Sequence, residues 1–254
     1  MQKSINSQEH KKYNAPKDLL KKKVILITGS SDGIGKSVAY SYAKYGATVI
    51  LHGRNIDRLE NIYDEICHAG YATPAIIPLD LSKATTHDYQ KLCETIDNEF
   101  GQLDGIVHNA ALISELAPIE FTDPTNWLDV MHVNINAVYL LTHSCLPLLK
   151  KSINASIITT SSSVGKIGRA YWGPYAISKF AVEGFTQVLA DELEKTNVRI
   201  NAINPGATET KMRASAYPAE DRSKLTQPEE LMPSYLYLMG RDSLSVNGAS
   251  INAQ

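Results

Sequence analysis

The chain has 254 residues, 43% of them hydrophobic and 20% charged, with a formal net charge of −2. That is the composition of a soluble globular fold large enough to bury a sizeable core. The near-neutral balance excludes the global basic field of a nucleic-acid binder, and no run approaches the roughly 18 apolar residues of a membrane span.

Lysines crowd the first 23 residues and no apolar core accompanies them, so the segment is not a secretory signal. Residues 1–20 read as a polar, lysine-rich solvated tail ahead of one domain over 21–254. Short β-branched runs then punctuate the chain: VILIT (24–28), TVILHG (48–53), AIIPLD (75–80), GIVHNA (105–110), ASIITTSS (155–162), VRINAIN (198–204) and ASINA (249–253). They are almost continuously apolar, the mark of strands covered on both faces. Helical patterns separate them at about 33–45, 55–69, 85–100, 124–150, 174–195 and 228–240. Strict alternation predicts an α/β fold: a single doubly wound, Rossmann-type domain with a parallel sheet of about seven strands flanked by helices. Ligands of such folds bind outside the carboxyl ends of the strands. Three cysteines, Cys67, Cys93 and Cys145, form no C-x-x-C pair; they suggest neither a disulfide framework nor a zinc site, and fit reduced thiols in the cytoplasm.

The first strand runs into T-G-S-S-D-G-I-G, residues 28–35, and a helix comes next. A sharp strand-to-helix turn needs Gly29, Gly33 and Gly35, because no Cβ fits there. With Ser31, Asp32 and Ile34 they open a helix N-terminus whose free N–H groups suit a pyrophosphate. The second strand ends at H-G-R-N, residues 52–55. A site for NAD(H) would place an acid there; Arg54 instead suits a ribose 2′-phosphate, which favours NADP(H) over NAD(H). Asp32 cuts the other way, since an anion in the turn repels the extra phosphate.

A Tyr-x-x-x-Lys spacing occurs three times, at Tyr13–Lys17, Tyr40–Lys44 and Tyr175–Lys179. The first lies in the tail, where Pro16 disfavours a helix. The second lies a turn or more into the helix after strand one, away from the crevice. The third opens the helix after strand five, and four residues bring Lys179 onto nearly the same face as Tyr175.

With these residues the chain resembles the short-chain dehydrogenase/reductase family over about 22–253, and looks closest to its YciK-like bacterial branch. TGSSDGIG matches the family's glycine turn, and Asp80-Leu81 matches the acid that meets adenine after strand three. Asn109 matches the cofactor-side residue of an Asn-Asn-Ala-Gly stretch, with two departures: His108 and Ala111 replace the first Asn and the Gly. The resemblance also implies roles for Asn134, for Ser162, and for Pro205, Gly206, Thr208 and Thr210 of NPGATET, a stretch that faces the nicotinamide.

The family resemblance implies hydride transfer between the cofactor and a small carbonyl or secondary alcohol. Tyr175 would be the acid/base and Ser162 would steady the carbonyl oxygen. Lys179 would hold the ribose and Asn134 would place a water leading to Lys179. A lysine cation ~4 Å from the phenol is worth about 4 kcal/mol at an effective dielectric of about 20, enough to bring it from about 10 toward neutral pH. No metal is required. Two other readings stand beside this one: a non-catalytic dinucleotide sensor, and a reductase of acyl groups on a carrier protein that docks near Lys211 and Arg213. Arg169 and Trp172 stand where they touch either substrate or core. The polar stretch 210–228 predicts a short lid over an open pocket. In this family the helix carrying Phe180 and Gly184 often builds a homodimer or homotetramer.

Overall fold

The computed structural model describes residues 10–254. Seven strands form one sheet: β1 (Val24–Thr28), β2 (Thr48–Gly53), β3 (Ala75–Pro78), β4 (Gly105–His108), β5 (Ala155–Thr160), β6 (Val198–Asn204) and β7 (Ser250–Asn252). Their order is β3-β2-β1-β4-β5-β6-β7 and all pairs are parallel. Between them run α1 (Gly33–Lys44), α2 (Ile56–His68), α3 (Thr86–Phe100), α4 (Pro124–Met131), α5 (Ala137–Leu149), α6 (Gly173–Glu192), α7 (Lys211–Ala216) and α8 (Met232–Met239).

The strand period of two sorts the sheet into two cores. Ile25, Ile27, Val49 and Leu51 pack with Val38 and Tyr42 of α1 and Tyr235 and Leu236 of α8. Val24, Leu26 and Ile50 face the opposite way, onto Tyr89 and Leu92 of α3 and Leu141 and Cys145 of α5. Burial on both sides is why these strands carry few polar residues. The strand order reverses between β1 and β4, and the crevice opens there.

Four strands, β3, β4, β5 and β7, are shorter than the apolar runs that announce them. β3, β4 and β5 stop at Pro78, His108 and Thr160, because the residues beyond peel off the sheet to line the crevice.

Two expectations are corrected. The run 124–150 is not one helix: residues His132–Asn136 wind as a π turn between α4 and α5. Nor are residues 10–20 a free tail. His10 is only 2% exposed, and its Nδ1 meets Ser234 Oγ at 3.0 Å. The Tyr13 hydroxyl donates to Asp242 at 2.5 Å, and Leu20 is fully buried against the α1–α8 core. Enough apolar surface lies among these polar residues to hold the segment down; residues 1–9 fall outside the described part.

Candidate active site

The glycine turn is dictated by close packing. Gly29 and Gly33 sit at φ +67 and +52, the left-handed region that favours glycine. A Cβ on Gly35 would fall 2.2 Å from the Gly29 carbonyl oxygen and 2.6 Å from Asn109 Nδ2, so the first turn of α1 rests directly on the end of β1. Asp32 caps α1, its Oδ1 accepting from the Gly33 N–H at 2.9 Å. Asn109 braces the turn from β4, donating from Nδ2 to the carbonyls of Thr28 (3.3 Å) and Gly29 (3.2 Å). Lys211, the first residue of α7, reaches across the cleft mouth to Asp32 at 2.5 Å. That pairing and the Gly33 cap hold the Asp32 carboxyl below its usual range, although burial opposes them.

At the far end of the cleft the chain leaves β5 through Ser161 and Ser162. Ser161 Oγ donates to the buried Glu183 carboxylate at 2.5 Å, and Ser250 Oγ reaches the same oxygen at 2.8 Å. Pro174 opens α6, at a position where its missing N–H costs nothing. One turn of this helix sets Tyr175 and Lys179, 9% and 3% exposed, into the wall behind Ser162. Lys179 Nζ donates to the Thr160 carbonyl at 2.6 Å and lies 5.5 Å from the Tyr175 ring centroid.

The expected depression of the Tyr175 phenol is reversed in this structure. Burial pushes it up to about 12, and the hydrogen bond with Ser162 only moderates that rise. Burial likewise pulls Lys179 down to about 8. Desolvation outweighs charge attraction because the ammonium is aimed at Thr160 rather than at the phenol oxygen.

Asn134 is held by side-chain bonds to the cleft wall. It sits in the π turn, where its Oδ1 accepts from Leu112 N–H at 2.7 Å and its Nδ2 donates to the Leu112 carbonyl (2.9 Å) and Ser178 Oγ (3.0 Å). These bonds shape the cleft wall.

Asp80 is held below the usual carboxylate range chiefly by the Ser82 hydroxyl, whose hydrogen bond is 2.7 Å, with Arg54 adding a smaller pull. Thr210 caps α7, accepting from Arg213 N–H at 3.1 Å, and Thr208 donates to the Pro205 carbonyl at 3.2 Å. A cleft of about 370 Å³ joins these parts, running from Arg54 and Asp80 to Ser162, Tyr175 and Lys179. Every residue expected in the site lines it except Gly35 and Asn134, which support the walls from behind. Tyr40 lies elsewhere, edge-on to Tyr71 with centroids 5.2 Å apart. No residue of α7 is fully buried, and Met212 and Ala216 pack against the cluster of Trp172 and Tyr175.

The sequence reading missed Lys211 as the partner of Asp32, and Glu183 as the anchor of Ser161. It also missed Tyr217, whose ring is tilted against Trp172 with centroids 5.7 Å apart. A buried acid two turns past an active-site tyrosine carries a signal in its helical spacing; the other two contacts cross the fold and carry none.

Comparison with known proteins agrees with this architecture. The family model for short chain dehydrogenases matches residues 23–221. The chain is 49% identical over 242 residues to the uncharacterized oxidoreductase YciK of Escherichia coli (strain K12), covering 95% of this chain and 96% of that one. A candidate short chain dehydrogenase of Pseudomonas syringae superposes with a TM-score of 0.94 at 52% identity, over 95% of this chain and 98% of that one. A similar protein of Escherichia coli CFT073, solved in complex with NADPH, superposes with a TM-score of 0.92 at 50% identity, over 94% and 99%. Matched along most of its length in both sequence and backbone, the chain belongs to the short-chain dehydrogenase/reductase family and is a dinucleotide-binding oxidoreductase acting on alcohol or carbonyl groups.

Proposed function

We propose that the protein transfers a hydride between NADP(H) and a small carbonyl compound or secondary alcohol, with Tyr175 as its acid/base. One observation carries this reading. A buried phenol hydrogen-bonded to Ser162, with Lys179 beside it, lines the same cleft as a glycine turn built for a pyrophosphate. The cradle at Gly29, Gly33 and Gly35 has no room for side chains, and one cleft joins it to Arg54 and Asp80 on one side and to Tyr175 and Lys179 on the other, so the residues fit the cofactor. When bound, the nicotinamide supplies or takes the hydride.

The protein's own groups do the rest. In reduction Tyr175, protonated at neutral pH with its phenol near 12, gives its proton to the carbonyl oxygen. Ser162 donates a hydrogen bond to that oxygen as it gains charge. Lys179 remains an ammonium at pH 7, with its value near 8, and offers its remaining protons to the ribose hydroxyls. Asn134 fixes Leu112 on the cleft wall, and Asn109 fixes the glycine turn.

Preference for NADP(H) rests on Arg54, exposed at the cleft edge with no carboxylate in ion-pair distance among the described residues. The objection from Asp32 is weakened because Lys211 offsets its charge. The NADPH complex of the similar Escherichia coli CFT073 protein supports the same choice. The cations that a carrier-protein docking patch would use, Lys211 and Arg213, are tied to Asp32 and Glu220. Ile177, Phe180 and Val188 stand exposed along α6, which supports assembly into a homodimer or homotetramer. Three free cysteines fit a reducing cytoplasm.

The test is NADPH oxidation tracked by absorbance over a panel of ketones and aldehydes, with Tyr175→Phe as control. Turnover that the variant loses by 10²-fold or more, while still binding NADPH, is expected. Tight NADPH binding with no turnover on any carbonyl would favour a sensor instead.

A further inference from the structure

A second cavity of about 250 Å³ shares Ser162, Trp172, Gly206 and Arg213 with the cleft and is also walled by Arg169 and Tyr217. Its two guanidinium groups are not equivalent. Arg213 is neutralised by Glu220, with two parallel bonds of 2.6 and 2.5 Å, and its guanidinium carbon lies 3.9 Å from the centre of the Tyr217 ring. Arg169 donates from Nη1 to the Tyr217 hydroxyl at 3.1 Å, and among the described residues no carboxylate lies within ion-pair distance of it. One positive charge is therefore left over on this wall of a chain whose net charge is −2. Arg169 is exposed, yet one bond ties its guanidinium to the wall. Tyr217 anchors it, and Tyr217 is itself gripped between Arg213 and Trp172. Trp172 in turn packs, tilted, against Tyr175 with centroids 5.7 Å apart. Moving outward from the phenol, a substrate meets a proton donor, an indole face, and then an uncompensated guanidinium fork.

We infer that the substrate is a keto acid or hydroxy acid: its carbonyl or alcohol oxygen sits at Ser162 and Tyr175, a short apolar spacer lies on Trp172, and its far carboxylate is taken by Arg169. This assignment rests on the hydride-transfer reading and narrows it to a substrate class. A guanidinium matches a carboxylate with two parallel N–H donors, a geometry that lysine cannot offer. The Tyr217 hydroxyl holds one nitrogen of the fork, and Trp172 packs against Tyr217, so less freedom is lost on binding.

The experiment compares levulinate and its longer homologues with their methyl esters, which keep the ketone and the length but lose the charge. The kcat/KM for the best acid should exceed that of its ester by roughly tenfold or more, as a charge-assisted hydrogen bond provides. That ratio should shrink as salt is raised. In Arg169→Ala it should fall to about one, and Arg169→Lys should recover only part of it. Unchanged melting temperature and NADPH affinity would show that the variants fold. A second arm measures binding of acid and ester to the Tyr175→Phe protein loaded with NADPH. Acid binding that Arg169→Ala abolishes upholds the assignment even if the wild type turns over no carbonyl, an outcome that would count against hydride transfer alone. Esters handled as well as acids in both arms, or a preference for acids that survives Arg169→Ala, would overturn it.

Discussion

Replacing Lys179 with methionine should make the fold more tolerant of neutral pH while removing function. Burial lowers the ammonium from 10.5 to about 8, so keeping it charged in the folded protein at pH 7 costs about 3 kcal/mol relative to a neutral group. The folded value lies below the unfolded one, so between them the unfolded chain binds more protons and stability rises with pH. By pH 9 the penalty has fallen to about 2 kcal/mol. Lys179→Met removes the penalty, but it also leaves the Thr160 carbonyl without its 2.6 Å donor, a loss of about 1–3 kcal/mol. The variant should therefore match or exceed the wild type by up to about 2 kcal/mol at pH 7. Between pH 7 and 9 the wild type should gain about 1.3 kcal/mol that the variant does not. Urea denaturation of both proteins at the two pH values measures this, and NADPH titration should show weakened binding in the variant. A variant less stable by more than about 1 kcal/mol at both pH values, with no difference in slope, would refute the claim that a strained, desolvated cation sits beside Tyr175.

Two buried histidines obey the same linkage in a more acidic window. Burial pulls His52 and His108 from 6.5 down to about 4 and about 3, so the unfolded chain again binds more protons and stability falls as pH drops below 6.5; the fold should weaken by about 2 kcal/mol per histidine from pH 7 to 5. His108→Asn, which restores the amide expected from the family pattern, should remove about half of that loss, as read by thermal melts across the same range. Gly35→Ala drives a Cβ into the Gly29 carbonyl and should cost about 1–3 kcal/mol or more and abolish NADPH binding; a variant that still binds NADPH normally would contradict the packing described for the turn. Arg54→Ala should weaken NADPH binding roughly tenfold and leave NADH nearly unchanged, whereas equal losses for both would remove Arg54 as the phosphate reader.

The sheet was legible because parallel strands buried on both faces leave runs of Val, Ile and Leu that no other context explains, as in VILIT and TVILHG. The glycine turn was legible for a related reason, since a strand end packed against a helix start leaves no space for Cβ atoms. The helix break at His132–Asn136 was not, because one extra residue per turn barely disturbs a 3.6-residue pattern. The docking of His10 on Ser234 was hidden by a separation of 224 residues. The sign of the Tyr175 shift was hidden too. The spacing from Tyr175 to Lys179 fixes which helix face they share, but not where the lysine points, nor how deeply both are buried.

The wide turn at His132–Asn136 has a consequence for relatives of different length. Such a turn stores a single surplus residue. Losing any one of the five would let the coil tighten to the ordinary pitch with α4 and α5 still nearly in phase, since four residues at about 100° each turn the helix about as far as five in the wide turn, but the turn that presents Asn134 would be gone. The Asn134 amide would then let go of both backbone groups of Leu112, and that side of the substrate chamber would be free to move. A homologue with a one-position gap here should therefore accept molecules of a different shape, even if its tyrosine, serine and lysine are all in place.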